Sequence, residues 1–212
     1  MLNLLLQYPW MVSFQRKVSS GWKHYCGGTI ISENTILTAA HCFFRKCKPW
    51  KTQCTRYYPS TKIRLGDQRL EDPSDDHLAK TYEVKAIIKH DSYLGKGPRN
   101  DLAIVYTTSK IEFNANIQKI TLPTSASDVK DKYANEYAEI MGWGWTDYQK
   151  PTDYLQVSNN FKVFSANECE QKFKIVPIKK RLNETNIFCS GSEVRFQLTQ
   201  YSIVIFKFGK RV

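Results

Sequence analysis

Short runs of β-forming residues recur along the whole chain, and turn residues break each one before it reaches helical length. They are Trp10–Gln15, Tyr25–Ile31, Thr35–Thr38, Lys62–Gly66, Thr81–Lys89 and Leu102–Thr107, then Glu136–Trp143, Leu155–Phe164 and Asn186–Cys189. Evenly spaced strands punctuated by Gly, Pro and Asn/Asp argue for an antiparallel sandwich or barrel. Long helical periodicity is absent. The one clear helix candidate is Ser165–Phe173, opened by Ser165 as N-cap. Pro123–Lys132 is polar without apolar period and reads as a connector between two halves of similar strand density. No internal repeat appears at a fixed period.

The 212 residues suit one large domain or two closely packed small ones, and 42% apolar residues suffice for a core. No apolar run approaches the ~18–20 residues needed to span a bilayer, so no membrane span is expected. Six cysteines (Cys26, Cys42, Cys47, Cys54, Cys169 and Cys189) permit complete pairing. None forms a Cys-x-x-Cys pair, so disulfides are expected rather than a metal site, and with them a secreted protein. Asn183-Glu184-Thr185 is an N-glycosylation acceptor sequon, consistent with that compartment. Met1–Leu6 is apolar but lacks the basic start and the ~7–15-residue apolar stretch of a signal peptide.

His41 lies in Leu37-Thr38-Ala39-Ala40-His41-Cys42, a β run ending in small residues that allow a tight turn. Asn100-Asp101-Leu102-Ala103-Ile104-Val105 places an aspartate just before an apolar strand. A carboxylate at such a strand edge can accept the Nδ1–H of a histidine, fixing its tautomer and stabilising the imidazolium.

With those residues in view, the sequence resembles the trypsin/chymotrypsin-like serine protease family. Tyr8–Phe14 resembles the family's first strand. Cys26–Ile31 and Leu37–Cys42 resemble the strands around the general base, and Asn100–Val105 the motif of the buried aspartate. Ile120-Thr121-Leu122-Pro123, Met141-Gly142-Trp143-Gly144, Cys169 and Asn186-Ile187-Phe188-Cys189 follow in family order. The resemblance runs from about Tyr8 to Glu193. It implies an all-β fold of two six-stranded antiparallel barrels, the first over about 8–122 and the second, incomplete, over about 133–193. Residues 1–7 and 194–212 lie outside it. His41 would be the general base and Asp101 its orienting carboxylate. The implied disulfides are Cys26–Cys42 and Cys169–Cys189, leaving Cys47–Cys54 to close a loop just after the histidine. No cofactor and no metal are implied.

Two family elements are missing from the string of residues. Members follow the last of these cysteines with Gly-Asp-Ser-Gly-Gly-Pro, whereas here Cys189 leads into Ser190-Gly191-Ser192-Glu193-Val194. Ser192 lies three residues after Cys189, and Glu193 and Val194 stand where glycines must turn backbone N–H groups into an oxyanion hole. Ser192 is therefore expected to be a polar loop serine. Active members are also cut to expose a new Ile/Val amino terminus, and Met1–Gln7 offers no such segment. The expectation is a truncated, inactive form of a secreted endopeptidase, its divergence after Glu193 arising from an alternative exon, a retained intron or a faulty gene model. The apolar run Tyr201–Phe208 would then pair as a substitute strand or stand as an aggregation-prone edge.

The net charge of +11 is uneven. Arg45, Lys46, Lys48, Lys51, Arg56, Lys62 and Arg64 cluster in and after the Cys47–Cys54 loop, interleaved with Trp50, Tyr57 and Tyr58. Lys172, Lys174, Lys179, Lys180 and Arg181 form a second group. No nucleic-acid motif accompanies this charge, so nucleic acid is not the expected partner. The expected partners are a protein or peptide substrate, a protease inhibitor, and a polyanion at the basic loop. The rival to the protease is a non-catalytic, protease-like decoy that binds an inhibitor or polyanion through that loop.

Overall fold

The computed structural model describes residues 4–44, 60–70, 78–95, 100–122, 133–144, 152–165, 167–168, 171, 189–191 and 207–208. The first-half runs become β1 (Met11–Val18), β2 (Gly21–Ser32), β3 (Thr35–Thr38), β4 (Thr61–Leu65), β5 (Lys80–Lys89) and β6 (Ala103–Thr107). These close into a six-stranded antiparallel barrel in the order β1-β2-β3-β6-β5-β4. The second half supplies β7 (Tyr137–Gly142), β8 (Gln156–Phe164), β9 (Cys189–Gly191) and β10 (Lys207–Phe208), a four-stranded sheet in the order β10-β7-β8-β9. The chain divides into two compact units, one holding the closed barrel with Gly142–Gln156 and the other holding the second sheet. The architecture is all-β with one complete barrel and one incomplete sheet, as expected. Helix among the described residues amounts to α1 (Leu4–Gln7), one 3₁₀ turn (Ala40–Cys42), and Asn167, Glu168 and Gln171.

Strict alternation explains the barrel. In β4, Thr61, Ile63 and Leu65 are buried while Lys62 and Arg64 are not; in β6, Ala103, Val105 and Thr107 are buried. Of these, Ile63, Leu65 and Val105 join Val12, Phe14, Ile30 and Ile36, all fully buried, in one core cluster. Phe43 completes it with an edge-to-face contact on Phe14 at 5.1 Å between ring centroids. That contact anchors the chain just after His41 to the barrel interior.

The β1–β2 hairpin runs further than the sequence suggests. Val18 pairs with Gly21 across Ser19-Ser20, and Gly21 adopts φ +125°, which side chains rarely tolerate. The expected strands stop at Gln15 and start at Tyr25, because the residues between them form a polar, solvated hairpin end. Lys17 and Lys62 place their ammonium groups 5.3 and 4.6 Å from the Trp22 ring centroid there. In the second unit, Ser165 and Glu168 form a reciprocal capping box. The Ser165 Oγ accepts the Glu168 N–H at 3.2 Å, and Glu168 Oε2 accepts the Ser165 N–H at 2.9 Å. The tail joins the sheet at Lys207 and Phe208, which pair antiparallel with Glu139 and Ala138 of β7. The expected last strand, Asn186–Cys189, is met by β9 from Cys189 onward; its first three residues lie outside the described set.

Gly28 is where two strands and a ring approach too closely for a side chain. A Cβ there would lie 2.9 Å from Phe14 Cε2, 3.0 Å from Ile36 Cγ2 and 3.1 Å from the Leu37 carbonyl oxygen. Gly28→Ala is expected to destabilise the chain by about 1–3 kcal/mol, the usual cost of overpacking a core. The check is a lower urea midpoint at unchanged slope; a midpoint equal to the parent's would mean the Phe14 ring yields freely.

Candidate active site

Two strand ends bring His41 and Asp101 together. β3 and β6 are antiparallel with Thr38 opposite Ala103, so the chain leaving β3 passes beside the chain entering β6. Three residues past Thr38 is His41, and two before Ala103 is Asp101. Beyond Thr38, the extended Ala39 (φ −83°, ψ 140°) leads into the 3₁₀ turn. The Phe43 and Phe44 amides both donate to the Ala40 carbonyl, at 3.0 and 2.8 Å. The disulfide Cys26–Cys42 ties this turn to β2. On the other side, Asn100 takes a left-handed conformation (φ 52°), one of the few residue types that does so readily. The Leu102 N–H closes the turn onto the Asn100 carbonyl at 2.8 Å.

The carboxylate of Asp101 engages His41 twice. Its Oδ1 accepts the His41 backbone N–H at 2.8 Å, and its Oδ2 accepts the Nδ1–H at 2.7 Å. The aspartate side chain is 19% exposed and the imidazole 32%. This commits Nδ1 as a donor and leaves Nε2 with the lone pair, the tautomer that takes a proton from a neighbouring hydroxyl. Cys26 Sγ, Cys42 Sγ and His41 lie close enough to resemble a metal cluster. Both sulfurs are spent in the disulfide, so neither can serve as a thiolate ligand.

Two residues with perturbed titration escaped the sequence analysis. Tyr93, 4% exposed, packs with Ala40 and Ala103, and its hydroxyl is pushed up to about 12 by burial and then by the charge of Asp101. His24 accepts a hydrogen bond from Ser13 Oγ at its Nδ1 (2.8 Å) and donates to the Trp143 carbonyl; burial lowers it to about 4. Ser13 carried a signal, being a polar residue amid the apolar Met11–Phe14 run. Tyr93, in the turn after β5, carried none.

Of the remaining candidates, Cys47, Cys54, Cys169, Asn183 and Ser192 lie outside the described residues, as do Arg45–Arg56 and Lys172–Arg181. For Cys189 the backbone alone is described, paired with Phe164 of β8. Two members of the basic cluster are on β4 and are engaged there. Arg64 Nε donates to the buried Asp67 at 2.8 Å, and Lys62 stacks on Trp22.

A family model described as Trypsin matches residues 5–198. The chain belongs to the trypsin family. Within that family it is 27% identical over 193 residues to the CLIP domain-containing serine protease HP8 of Bombyx mori, covering 87% of this chain and 50% of that protein. It is 25% identical to a trypsin of Phaedon cochleariae, over 88% of this chain and 63% of that one. It is 30% identical to trypsin II-P29 of Gallus gallus, over 76% and 57% respectively. The chain thus spans about half the length of the curated relatives it matches. Among the described residues, no helix of this trypsin-family chain is long and apolar enough to cross a membrane.

Proposed function

We propose that this chain derives from a secreted serine endopeptidase that cleaves extracellular proteins through an acyl-enzyme. In it, His41 serves as general base and Asp101 as the carboxylate that orients it. The observation that carries this reading is the double engagement of His41 by Asp101, which sets the tautomer that base catalysis needs. The family domain is read as about 8–193, with Cys169–Cys189 and Cys47–Cys54 as further disulfides, Asn183 as glycan acceptor, and a polyanion at the basic loop.

The 212-residue chain contains no Gly-Asp-Ser-Gly-Gly-Pro string, and we read it as inactive. A base without a hydroxyl to deprotonate contributes nothing to acyl transfer, so turnover falls by orders of magnitude. A serine-directed fluorophosphonate probe is expected to leave the purified chain unlabelled. Covalent labelling at Ser192 would overturn the inactivity. The same absence beside an intact His41–Asp101 pair supports a second reading, a decoy that holds protease inhibitors without cleaving. Binding of a protein inhibitor of serine proteases by the unlabelled chain supports the decoy; a transcript of the same locus encoding the missing string after Glu193 sinks it.

A further inference from the structure

We propose that the far end of the β1–β2 hairpin, where Lys17 and Lys62 share the Trp22 ring, is a docking site for a sulfated polysaccharide. Charge on this chain is more segregated than its total shows. Residues 1–66 hold ten lysines and arginines and a single carboxylate side chain, Glu33. Nine of the eleven net positive charges therefore fall in the first third of the sequence. Arg64 is spent on the buried Asp67, 2.8 Å away. Lys17 and Lys62 are placed differently, on the water-facing side of the hairpin.

Strand register puts them there. Lys17 stands opposite Trp22 across β1–β2, and Lys62 stands opposite Gln15 across β1–β4. Gln15 and Lys17 are two residues apart on β1, so both pairs share one face of the sheet. The two ammonium groups lie 5.3 and 4.6 Å from the Trp22 ring centroid, while the ring itself remains 37% exposed. The indole face holds both long side chains and tempers their mutual repulsion. Gln15 and Trp22, aligned between the lysines, bring no negative charge. Glu83, opposite Lys62 on β5, marks the acidic edge of this face.

Two ammonium groups gathered on one ring set up a positive potential that a polyanion neutralises. The indole adds what charge alone does not supply, a flat apolar surface for the C–H face of a sugar ring. Sulfates carried on that ring and its neighbours then meet the flanking lysines in charge-assisted contacts. An acidic peptide carries its charges on flexible side chains and orders more rotatable bonds for the same contacts. The strands hold the three side chains in place, so little is lost in arranging them. The site is separate from the His41–Asp101 pair. It goes beyond the polyanion read at the basic loop and does not rest on it.

Isothermal titration calorimetry of the full chain with a heparin-derived decasaccharide, at several salt concentrations, tests the proposal. The parent is expected to bind, with affinity falling steeply as salt rises. The double variant Lys17→Gln, Lys62→Gln is expected to bind about tenfold more weakly at ~0.15 M salt, its salt dependence flattened by about two ions. Trp22→Ala is expected to bind about fivefold more weakly with the parent's salt dependence, because it removes a neutral surface. Should Trp22→Ala disturb the hairpin, Trp22→Thr carries the test, removing the ring while keeping strand propensity. A lysine variant at the parent's affinity overturns the proposal. So does a parent that binds the fully desulfated decasaccharide, polyglutamate or single-stranded DNA as tightly as the sulfated sugar. Binding lost in the triple variant Lys46→Gln, Lys48→Gln, Lys51→Gln but kept in the hairpin variants overturns this site and leaves the loop reading standing. A parent that does not bind overturns both.

Discussion

Replacing Cys26 and Cys42 together by alanine is expected to lower stability by about 3 kcal/mol. The bridge joins residues 16 apart, and a cross-link closing a loop of that size removes chain entropy worth about 3 kcal/mol from the unfolded state. Both residues also belong to the core, 5% and 3% exposed, so each loses a sulfur's packing contacts. The double variant is the right comparison because a single substitution leaves a reactive thiol against the partner's cavity. The loss should extend to the site. His41 sits in a three-residue 3₁₀ turn between the buried Ala40 and the bridged Cys42. With the bridge gone, that turn keeps its packing and its hydrogen bonds but loses its covalent tie to β2, and the His41 N–H should spend more time away from Asp101 Oδ1. Urea denaturation measures the first effect and hydrogen exchange at the His41 amide the second. A stability within about 1 kcal/mol of the parent would show that the core holds the turn without the bridge.

Much of this architecture was legible from alternation alone. β3, β4 and β6 stand within about a residue of expectation because each has one face inside a closed barrel, so period-two patterning is unbroken. The β1–β2 hairpin end was illegible for the converse reason. Lys17, Trp22 and Lys62 form a solvated face whose cation–π contacts join two non-adjacent strands, and no local pattern announces such a contact. The His41–Asp101 pair was named in advance, yet what unites residues 60 apart is the β3–β6 register. Tyr93 and His24 could not be found that way. Each matters through neighbours that arrive from elsewhere in the chain: Ala40 and Ala103 in one case, Ser13 and Trp143 in the other.

Acidification from pH 6.5 to pH 4 is expected to cost the fold about 3 kcal/mol through His24. Burial lowers its pKa from the ordinary 6.5 to about 4, and its hydrogen bond to the Trp143 carbonyl offsets only part of that. Over this window the unfolded chain binds a proton that the native chain does not. Stability therefore falls as pH drops below 6.5 and stops falling, for this group, below about 4, where both states are protonated. A displacement of about 2.5 units at 1.36 kcal/mol each sets the magnitude. Neutral His24 satisfies two partners at once, accepting from the Ser13 hydroxyl and donating to Trp143. Its charged form must be desolvated beside the Trp143 ring, 5.8 Å away between centroids. Carboxylates titrate over part of the same range, so the variant His24→Gln isolates the histidine. Glutamine keeps a donor for the carbonyl and an acceptor for the hydroxyl but carries no titrating proton. The stability of the parent minus that of His24→Gln should decline by about 3 kcal/mol between pH 6.5 and 4 in urea melts. A difference that stays level across that window would mean His24 takes up its proton equally in the folded and unfolded chain, and that the Ser13–His24–Trp143 contacts leave acid stability unchanged.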